Sequence, residues 1–354
     1  MNAQEGIQFF HGKWAETIAE AEKEKKIIFL DCYTSWCGPC KKLAKEVFPQ
    51  KEVGEYFNAN FISVKIDMEK GEGKELKDKF GVEAFPTMLF INADGSVAHR
   101  VVGFRKADKL IEEAKIAIDG TGYGAMKKEY DAGNRDFDFV NKYMKALLSA
   151  GEKAELEKVA LEILKDIKQQ NWLTPNNYSL IKTCVYNADT EPILYVNENK
   201  NLFKAVHGSR NVEIKLRGAF SEKARSFLIE KDGKKVIDQD AYAAYIQWMK
   251  DNDVEDVESI VNSTNLRYAL LTENWTRFVE LVEADIIAKG DKMHAQILWN
   301  HAEKINNGCD DKQYRELAQK WCEMAVNKTQ SEKAKESYQR TFKELGEERQ
   351  EKKH

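Results

Sequence analysis

The chain has few cysteines, no long apolar run and little net charge, and each shortage excludes a class of protein. Six cysteines among 354 residues are too few for a disulfide scaffold. No apolar stretch approaches the length of about 20 residues that a membrane-spanning helix needs. The formal net charge is only −4, so no basic field indicates a nucleic acid partner. What remains is a chain with 42% apolar residues that is long enough for two globular domains.

The most informative stretch is Trp36-Cys37-Gly38-Pro39-Cys40, which lies between an apolar run at 27–30 and a predicted helix at 41–47. A strand, a sharp turn and a helix in this order place Cys37 at a helix N-terminus, where the macrodipole favours a thiolate. Two cysteines separated by two residues can close a disulfide with little backbone movement, and Pro39 stiffens the turn. The sequence therefore predicts a reversible dithiol site in which Cys37 is the exposed, attacking sulfur.

A structural zinc half-site is the alternative interpretation of Cys37 and Cys40. Such a site needs a second pair of ligands, and the sequence has no other pair of cysteines at this spacing and no close pair of histidines. We therefore expect redox chemistry at this pair, without a metal or a cofactor.

Residues 1–119 resemble the thioredoxin family in several features that follow one another in the family's order. Residues 36–40 resemble the active site of that family, and Asp31 lies where the family keeps a buried carboxylate. Phe85-Pro86-Thr87 resembles the cis-proline loop, and Val102-Gly103 resembles the glycine loop beside the site. The resemblance implies an α/β thioredoxin fold, in which a central mixed sheet is flanked by helices and the element order is βαβαββα after a first helix.

Within the family, the segment from Asp31 to Cys37 and the stretch 67–73 are most similar to bacterial periplasmic thiol:disulfide interchange domains. This implies a periplasmic location, with the cytoplasm as the alternative. Residues 1–12 are polar and mixed, so an exported protein would be represented here in a form that lacks its signal peptide.

The resemblance assigns roles to three residues at the predicted catalytic centre. Cys37 is the nucleophile, Cys40 resolves the mixed disulfide, and Asp31 lies beneath Cys40 with a pKa raised by burial, so that it can accept the proton of Cys40. A charged residue at the end of a strand is the alternative interpretation of Asp31. The family often pairs this carboxylate with a lysine, and here Ser63 occupies the aligned position while Lys65 follows two residues later.

A second group of residues is expected to bind the substrate. Trp36 would form an exposed apolar lip, although a core tryptophan is the alternative, and a cis bond before Pro86 would offer backbone to an extended substrate. The complete predicted set consists of Trp36, Gly38, Pro39, Phe85, Pro86 and Gly103.

The pattern changes at 120–124, where three glycines in five residues predict a linker. Residues 125–354 carry apolar side chains at helical spacing, which predicts an all-helical domain of paired helices, similar to a tetratricopeptide solenoid. This domain would choose or position the partner, and residues 1–119 would keep general disulfide reductase activity. The alternative is that the helices dock on the first domain and complete its core.

The sequence thus predicts a protein-disulfide reductase that acts on disulfide-containing proteins. An upstream thiol donor would return its disulfide to the dithiol form. Gly38 and Pro39 between the cysteines predict a reducing pair, nearer the roughly −270 mV of thioredoxin than the roughly −120 mV of strong oxidants. The alternatives are an interaction or scaffold protein with a redox-sensing head, and a disulfide isomerase or oxidant.

Overall fold

The computed structural model describes residues 5–231 and 233–347, and the chain forms two compact units that divide between Asp166 and Ile167. The first unit contains a four-stranded sheet with the strand order β2-β1-β3-β4. β1 pairs in parallel with β2 and antiparallel with β3, which is antiparallel to β4. The sheet is therefore mixed, as predicted. Its strands are β1 (Ile27–Tyr33), β2 (Phe61–Asp67), β3 (Thr87–Ile91) and β4 (Val97–Val102).

Eight helices accompany these strands within the described residues of the first unit. They are α1 (Trp14–Glu24), α2 (Gly38–Lys42, continued by a π-helical turn, Leu43–Val47), α3 (Lys51–Asn60), α4 (Gly73–Lys79), α5 (Ala107–Ile118), α6 (Tyr123–Asp131), α7 (Phe137–Ala150) and α8 (Lys153–Lys165). The elements from β1 to α5 follow the predicted order, with α1 before them, except that two helices, α2 and α3, occupy the place of the single helix predicted between β1 and β2. The fold implied by the resemblance is confirmed.

Strand β1 is buried on both faces and divides the first unit into two cores. Because neighbouring side chains of a strand point to opposite faces, Phe29 packs with Leu43 of the active-site helix and Phe57 of α3. Ile28 and Leu30 pack on the other side, in a cluster that includes residues of α1 and α4. Asp31 follows Phe29 by two residues, so it faces the core that contains the active-site helix.

The outer edge of the sheet at β4 is covered by α6 and α7. Gly124 at the start of α6 lies so close to this strand that a Cβ atom there would be 2.1 Å from the carbonyl oxygen of Val97. The Tyr123 N–H donates to His99 Nδ1 on the same strand, at 3.2 Å. A covered edge cannot recruit another strand. The glycine-rich stretch 120–124 thus packs on the first unit, and the predicted domain boundary there stays a prediction.

Within its described residues, 167–231 and 233–347, the second unit is helical with one exception. Its α-helices are α9 (Pro175–Cys184), α10 (Glu191–Glu198), α11 (Lys200–His207), α12 (Ser209–Ser226), α13 (Gln239–Asp251), α14 (Val257–Leu271), α15 (Trp275–Lys289), α16 (Ala295–Gly308), α17 (Lys312–Lys328) and α18 (Glu332–Gly346), and short 3₁₀ turns lie at Gln169–Leu173 and Gly290–Lys292. Several helices pack on the next one along the chain, as in α16, α17 and α18. A helical repeat is consistent with this packing.

The exception is a hairpin of two antiparallel strands, β5 (Leu228–Lys231) and β6 (Lys234–Ile237). The prediction of an all-helical region is corrected at this point. Branched apolar residues such as Ile229 and Val236 pair across the strands and favour extended backbone. Four residues per strand gave too short an alternation to be recognised in the sequence.

Cysteines without a close partner in the sequence are usually buried core thiols. The four outside the predicted site are buried and form no disulfide: Cys32, Cys184, Cys309 and Cys322. Burial raises the pKa of each of these thiols, that of Cys322 to about 12.

His301 packs against the ring of Phe278 at 5.8 Å, and burial lowers its pKa to about 4. The sequence places His301 on an apolar helical stripe with Leu298 and Ala302, which favours a core histidine, and its position agrees with this. None of the described helices combines the length and the apolar character needed to span a bilayer.

We predict that the fragment 1–119 is less stable than the fragment 1–166. The shorter fragment loses α6 and α7 from the edge at β4 and leaves Arg100 without its carboxylate partner Glu152, an ion pair of 2.5 Å. Breaking a largely buried pair from one side typically costs about 3 kcal/mol or more. Urea unfolding of both disulfide-bonded fragments measures the difference. Equal free energies of unfolding would favour the boundary at 120–124.

Candidate active site

The two predicted redox cysteines form a disulfide at the start of the active-site helix. Cys37 is the residue that precedes α2, and its backbone N–H donates to the Thr34 carbonyl at 3.2 Å, closing the turn after β1. The sulfur of Cys37 accepts a hydrogen bond from the Cys40 N–H at 3.1 Å, and the two Cα atoms are 5.3 Å apart. Backbone N–H groups at a helix N-terminus stabilise a thiolate at this position once the disulfide is reduced.

The sequence predicts an exposed sulfur at Cys37, but in the disulfide-bonded form Cys37 is as buried as Cys40. The exposed fractions of the two residues are 3% and 4%. The disulfide and the hydrogen bond from Cys40 turn the sulfur of Cys37 towards the helix. The neighbouring Gly38 and Pro39 are exposed, so the site reaches the surface through the turn between the two cysteines.

Asp31 is buried in strand β1, with an exposed fraction of 2%. Its Oδ1 atom has no hydrogen-bond partner within residues 5–231 and 233–347. Burial raises the pKa of Asp31 to about 7, although the positive charge of Lys65 opposes the shift. A carboxylate with a pKa near neutrality can accept and return a proton at physiological pH. This agrees with the predicted environment of Asp31, and its role as the base for Cys40 stays a prediction.

Lys65 lies directly opposite Asp31 in the parallel pair of β1 and β2, whereas Ser63 lies opposite Phe29. The ammonium nitrogen of Lys65 is 5.2 Å from the ring centre of Tyr33 and 5.7 Å from that of Phe9. Such distances are typical of cation–π contacts. The two rings keep the ammonium group of Lys65 on the same face of the sheet as Asp31. Lys65 therefore supplies the positive charge that opposes the rise in the pKa of this carboxylate.

Three strand ends bring the remaining predicted residues to one end of the sheet. Thr87 at the start of β3 pairs with Cys32 near the end of β1 and with Val102 at the end of β4. The Phe85–Pro86 bond just before β3 is cis, and the Gly103 N–H donates to the Pro86 carbonyl at 2.8 Å. The cis-proline loop and the glycine loop are thus joined directly.

Trp36 is 65% exposed and meets Phe85 edge to face, with ring centres 6.1 Å apart. This is the exposed apolar surface expected of a lip, and the core alternative for Trp36 is wrong. Its Nε1–H donates to Glu69 Oε2 at 2.9 Å, which fixes the orientation of the indole. This role of Glu69 was not predicted from the sequence, because a single carboxylate in the acidic segment after β2 has no distinguishing pattern.

Comparisons with known proteins cover the part of the chain that forms this site. The family described as a thioredoxin-like domain matches residues 14–116. A thioredoxin H-type of Oryza sativa subsp. indica is 39% identical over 111 residues, which are 30% of this chain and 85% of that protein. The chain belongs to the thioredoxin family.

Two further likenesses involve proteins named for disulfide isomerisation. Protein disulfide isomerase-like 1-2 of Oryza sativa subsp. japonica is 32% identical over 107 residues, 30% of this chain and 20% of that protein. A solution structure of a candidate disulphide-isomerase from Bacteroides thetaiotaomicron has 47% identity, covers 33% of this chain and 97% of its own, and has a TM-score of 0.31. The family match ends at residue 116, so the helices from α6 onwards lie outside it.

Membership of the thioredoxin family and the Cys37–Cys40 pair support thiol-disulfide oxidoreductase activity on disulfide substrates. The chain's own residues supply a disulfide, a buried carboxylate and two joined backbone loops. In the part of the chain that the structure describes, no three His, Cys, Asp or Glu side chains cluster as metal ligands would.

We predict that Asp31→Asn stabilises the disulfide-bonded protein at neutral pH. The folded-state pKa of about 7 lies above the ordinary 3.8, so the unfolded chain ionises first and the free energy of unfolding falls as the pH rises from about 4 to 7. Asparagine removes this loss, and the gain should grow over that range to about 4 kcal/mol. Urea unfolding at several pH values measures it.

Lys65→Met is the matched variant for this prediction. Because the charge of Lys65 lowers the pKa of Asp31, its removal should extend the pH-dependent loss of stability to higher pH. In the Asp31→Asn background the same substitution should leave the shape of the pH dependence unchanged. A gain from Asp31→Asn that is equal at pH 4 and pH 7.5 would contradict the raised pKa.

Proposed function

We propose that this protein is a protein-disulfide reductase that exchanges thiols and disulfides through Cys37 and Cys40. The observation that carries the proposal is the disulfide at the start of α2, at the same end of the sheet as the joined loops of Pro86 and Gly103. A redox pair at the end of the sheet that also carries these two loops and the exposed lip of Trp36 fits an extended polypeptide as substrate. The form described here is the oxidised product of such a reaction.

In the proposed reaction, the Cys37 thiolate attacks one sulfur of a substrate disulfide. The substrate disulfide breaks, one substrate thiolate leaves, and a mixed disulfide with Cys37 forms. Cys40 then passes its proton to Asp31 and attacks the sulfur of Cys37. The mixed disulfide breaks, the second substrate thiolate leaves, and the Cys37–Cys40 disulfide remains. An external dithiol donor returns two electrons and two protons to the pair.

We predict that Cys37→Ser abolishes the reduction of insulin by dithiothreitol through this protein. Cys40→Ser should still attack once and accumulate mixed disulfides, because it retains the nucleophile and lacks the resolving thiol. Cys184→Ala is the matched control, since this thiol is buried in the second unit, and it should retain turnover. Mass mapping of alkylated, reduced protein that finds Cys40 more reactive than Cys37 at neutral pH would reverse the two roles.

The reduction potential separates this proposal from its redox alternative. Equilibration with glutathione should give a value nearer the roughly −270 mV of reducing pairs than the roughly −120 mV of strong oxidants. A value in the oxidant range would favour the oxidant or isomerase.

We also propose that the second unit selects the protein partner. It carries apolar side chains that are about half exposed on successive helices: Leu202 and Val206 on α11 and Ile214 on α12. Leu202 and Val206 are four residues apart, so they share one helix face. Isolated apolar residues are common on surfaces, but a pair on one face offers a contact for a partner.

We predict that Leu202→Glu combined with Val206→Glu changes the partners that Cys40→Ser captures in cells while insulin reduction stays unchanged. The two substitutions place charge on the proposed contact and leave the redox pair intact. Ile287→Glu is the matched control, because Ile287 is 81% exposed on α15. An identical set of captured partners in all three backgrounds would contradict a role for the α11 surface.

A further inference from the structure

Two arginines connect the active-site loops to the helices that follow the family match. Arg100 lies on β4, and its guanidinium donates to the carbonyl of Phe80 and, at 3.3 Å, to that of Gly81. These carbonyls begin the connection that leads from α4 to Pro86. The same guanidinium pairs with Glu152 at 2.5 Å. A planar group with five N–H donors can hold two chain segments in this way.

Arg105 makes the equivalent connection from the glycine loop. Its Nη1 donates to the carbonyls of Val102 and Phe104, each at 3.2 Å, so it spans the backbone on both sides of Gly103. Its Nη2 donates to Ser149 Oγ at 3.1 Å. The glycine loop next to Pro86 is thus held by Arg105, and the guanidinium of Arg105 is in turn fixed by Ser149 of α7.

Glu113 and His99 support Arg105 from α5 and β4. The Arg105 Nε–H donates to Glu113 Oε1 at 3.4 Å, and Ser149 Oγ is also 3.4 Å from that atom. The other oxygen of Glu113 lies 2.7 Å from His99 Nε2. Because His99 Nδ1 accepts from the Tyr123 N–H, the imidazole proton is on Nε2 and donates to the carboxylate. Burial raises the pKa of Glu113, but His99 and Arg105 outweigh burial and leave it below its ordinary value.

Ser149 and Glu152, the partners of the two arginines, lie at the turn between α7 and α8. We name this turn, residues 149–152, the α7–α8 corner. Ser149 is in the last turn of α7, and Glu152 directly precedes α8. Between them, Gly151 approaches β4 so closely that a Cβ atom there would be 3.0 Å from Val102 Cγ2. One corner therefore reaches the chain before the cis-proline loop and the chain around the glycine loop.

We infer that the α7–α8 corner is a two-point clamp that holds the two substrate-binding loops of the redox site, with Arg100 and Arg105 as positioning residues. The inference rests on the proposed reductase function, because it assigns these helices a part in binding the protein substrate. A bound strand gains affinity when the backbone that receives it is already ordered. The clamp should therefore affect protein substrates and leave the chemistry of the cysteines unchanged.

The test uses the full chain with Ser149→Ala and Glu152→Gln combined. We expect the KM for insulin to rise about tenfold, which corresponds to the loss of about one charged hydrogen bond, with kcat unchanged. Reduction of the small disulfide 5,5′-dithiobis(2-nitrobenzoate), which needs no backbone contact, should keep its rate. Ser149→Thr retains the hydroxyl and should restore the affinity lost by Ser149→Ala. Glu155→Gln is the matched control, because it removes an ion pair with Lys158 on the same helix.

A second measurement does not depend on activity. Hydrogen exchange at the Gly103 amide, which donates to the Pro86 carbonyl, should become about tenfold faster in the double variant. Faster exchange with no insulin reduction by the native chain would support the clamp and reject the proposed function. Unchanged exchange, or equal slowing of both disulfide substrates, would overturn the clamp even where the native chain reduces insulin.

Discussion

The burial of strand β1 on both faces is the constraint on which the redox site depends. Phe29 and Leu30 point into separate cores, so the strand is fixed in position and register. Asp31 continues this strand, and its carboxylate is desolvated because its neighbours fill the core around it. The strand then ends in the turn that starts the active-site helix. The packing that stabilises the first unit thus also sets the proton affinity of its one deeply buried carboxylate within the described residues.

Much of this site could be predicted from the sequence because its parts are close together in the chain or occur in a family pattern. Cys37 and Cys40 are three residues apart, and Asp31 precedes them on the same strand–turn–helix segment. Pro86 and Gly103 were identified through the resemblance, and the structure joins them by a hydrogen bond. The sequence was less informative on exposure, because Cys37 is 3% exposed in the disulfide-bonded form although the adjacent Gly38 is exposed.

The contacts that escaped prediction are long-range contacts of common residues. Glu69 is 33 residues from Trp36, and Glu152 is 52 residues from Arg100. Charged residues make up 32% of this chain, so no spacing marks these contacts. The glycine-rich stretch had the composition of a linker, but Gly124 allows close approach to β4. Composition alone does not separate these two uses of glycine, and the extent of the compact unit depends on which applies.

The burial of the other four cysteines makes the redox pair chemically isolated. Cys32 and Cys322 are fully buried, Cys184 and Cys309 nearly so, and burial raises the pKa of all four thiols. A thiol reagent reacts with the thiolate, which the helix N-terminus favours at reduced Cys37 and which burial disfavours at the other four cysteines. In the folded protein such a reagent therefore distinguishes Cys37 from these four thiols. The fraction of molecules that a maleimide labels under native conditions is then a direct count of the reduced form. The redox state of this protein can be followed in a cell extract by a gel shift, without replacing a single cysteine.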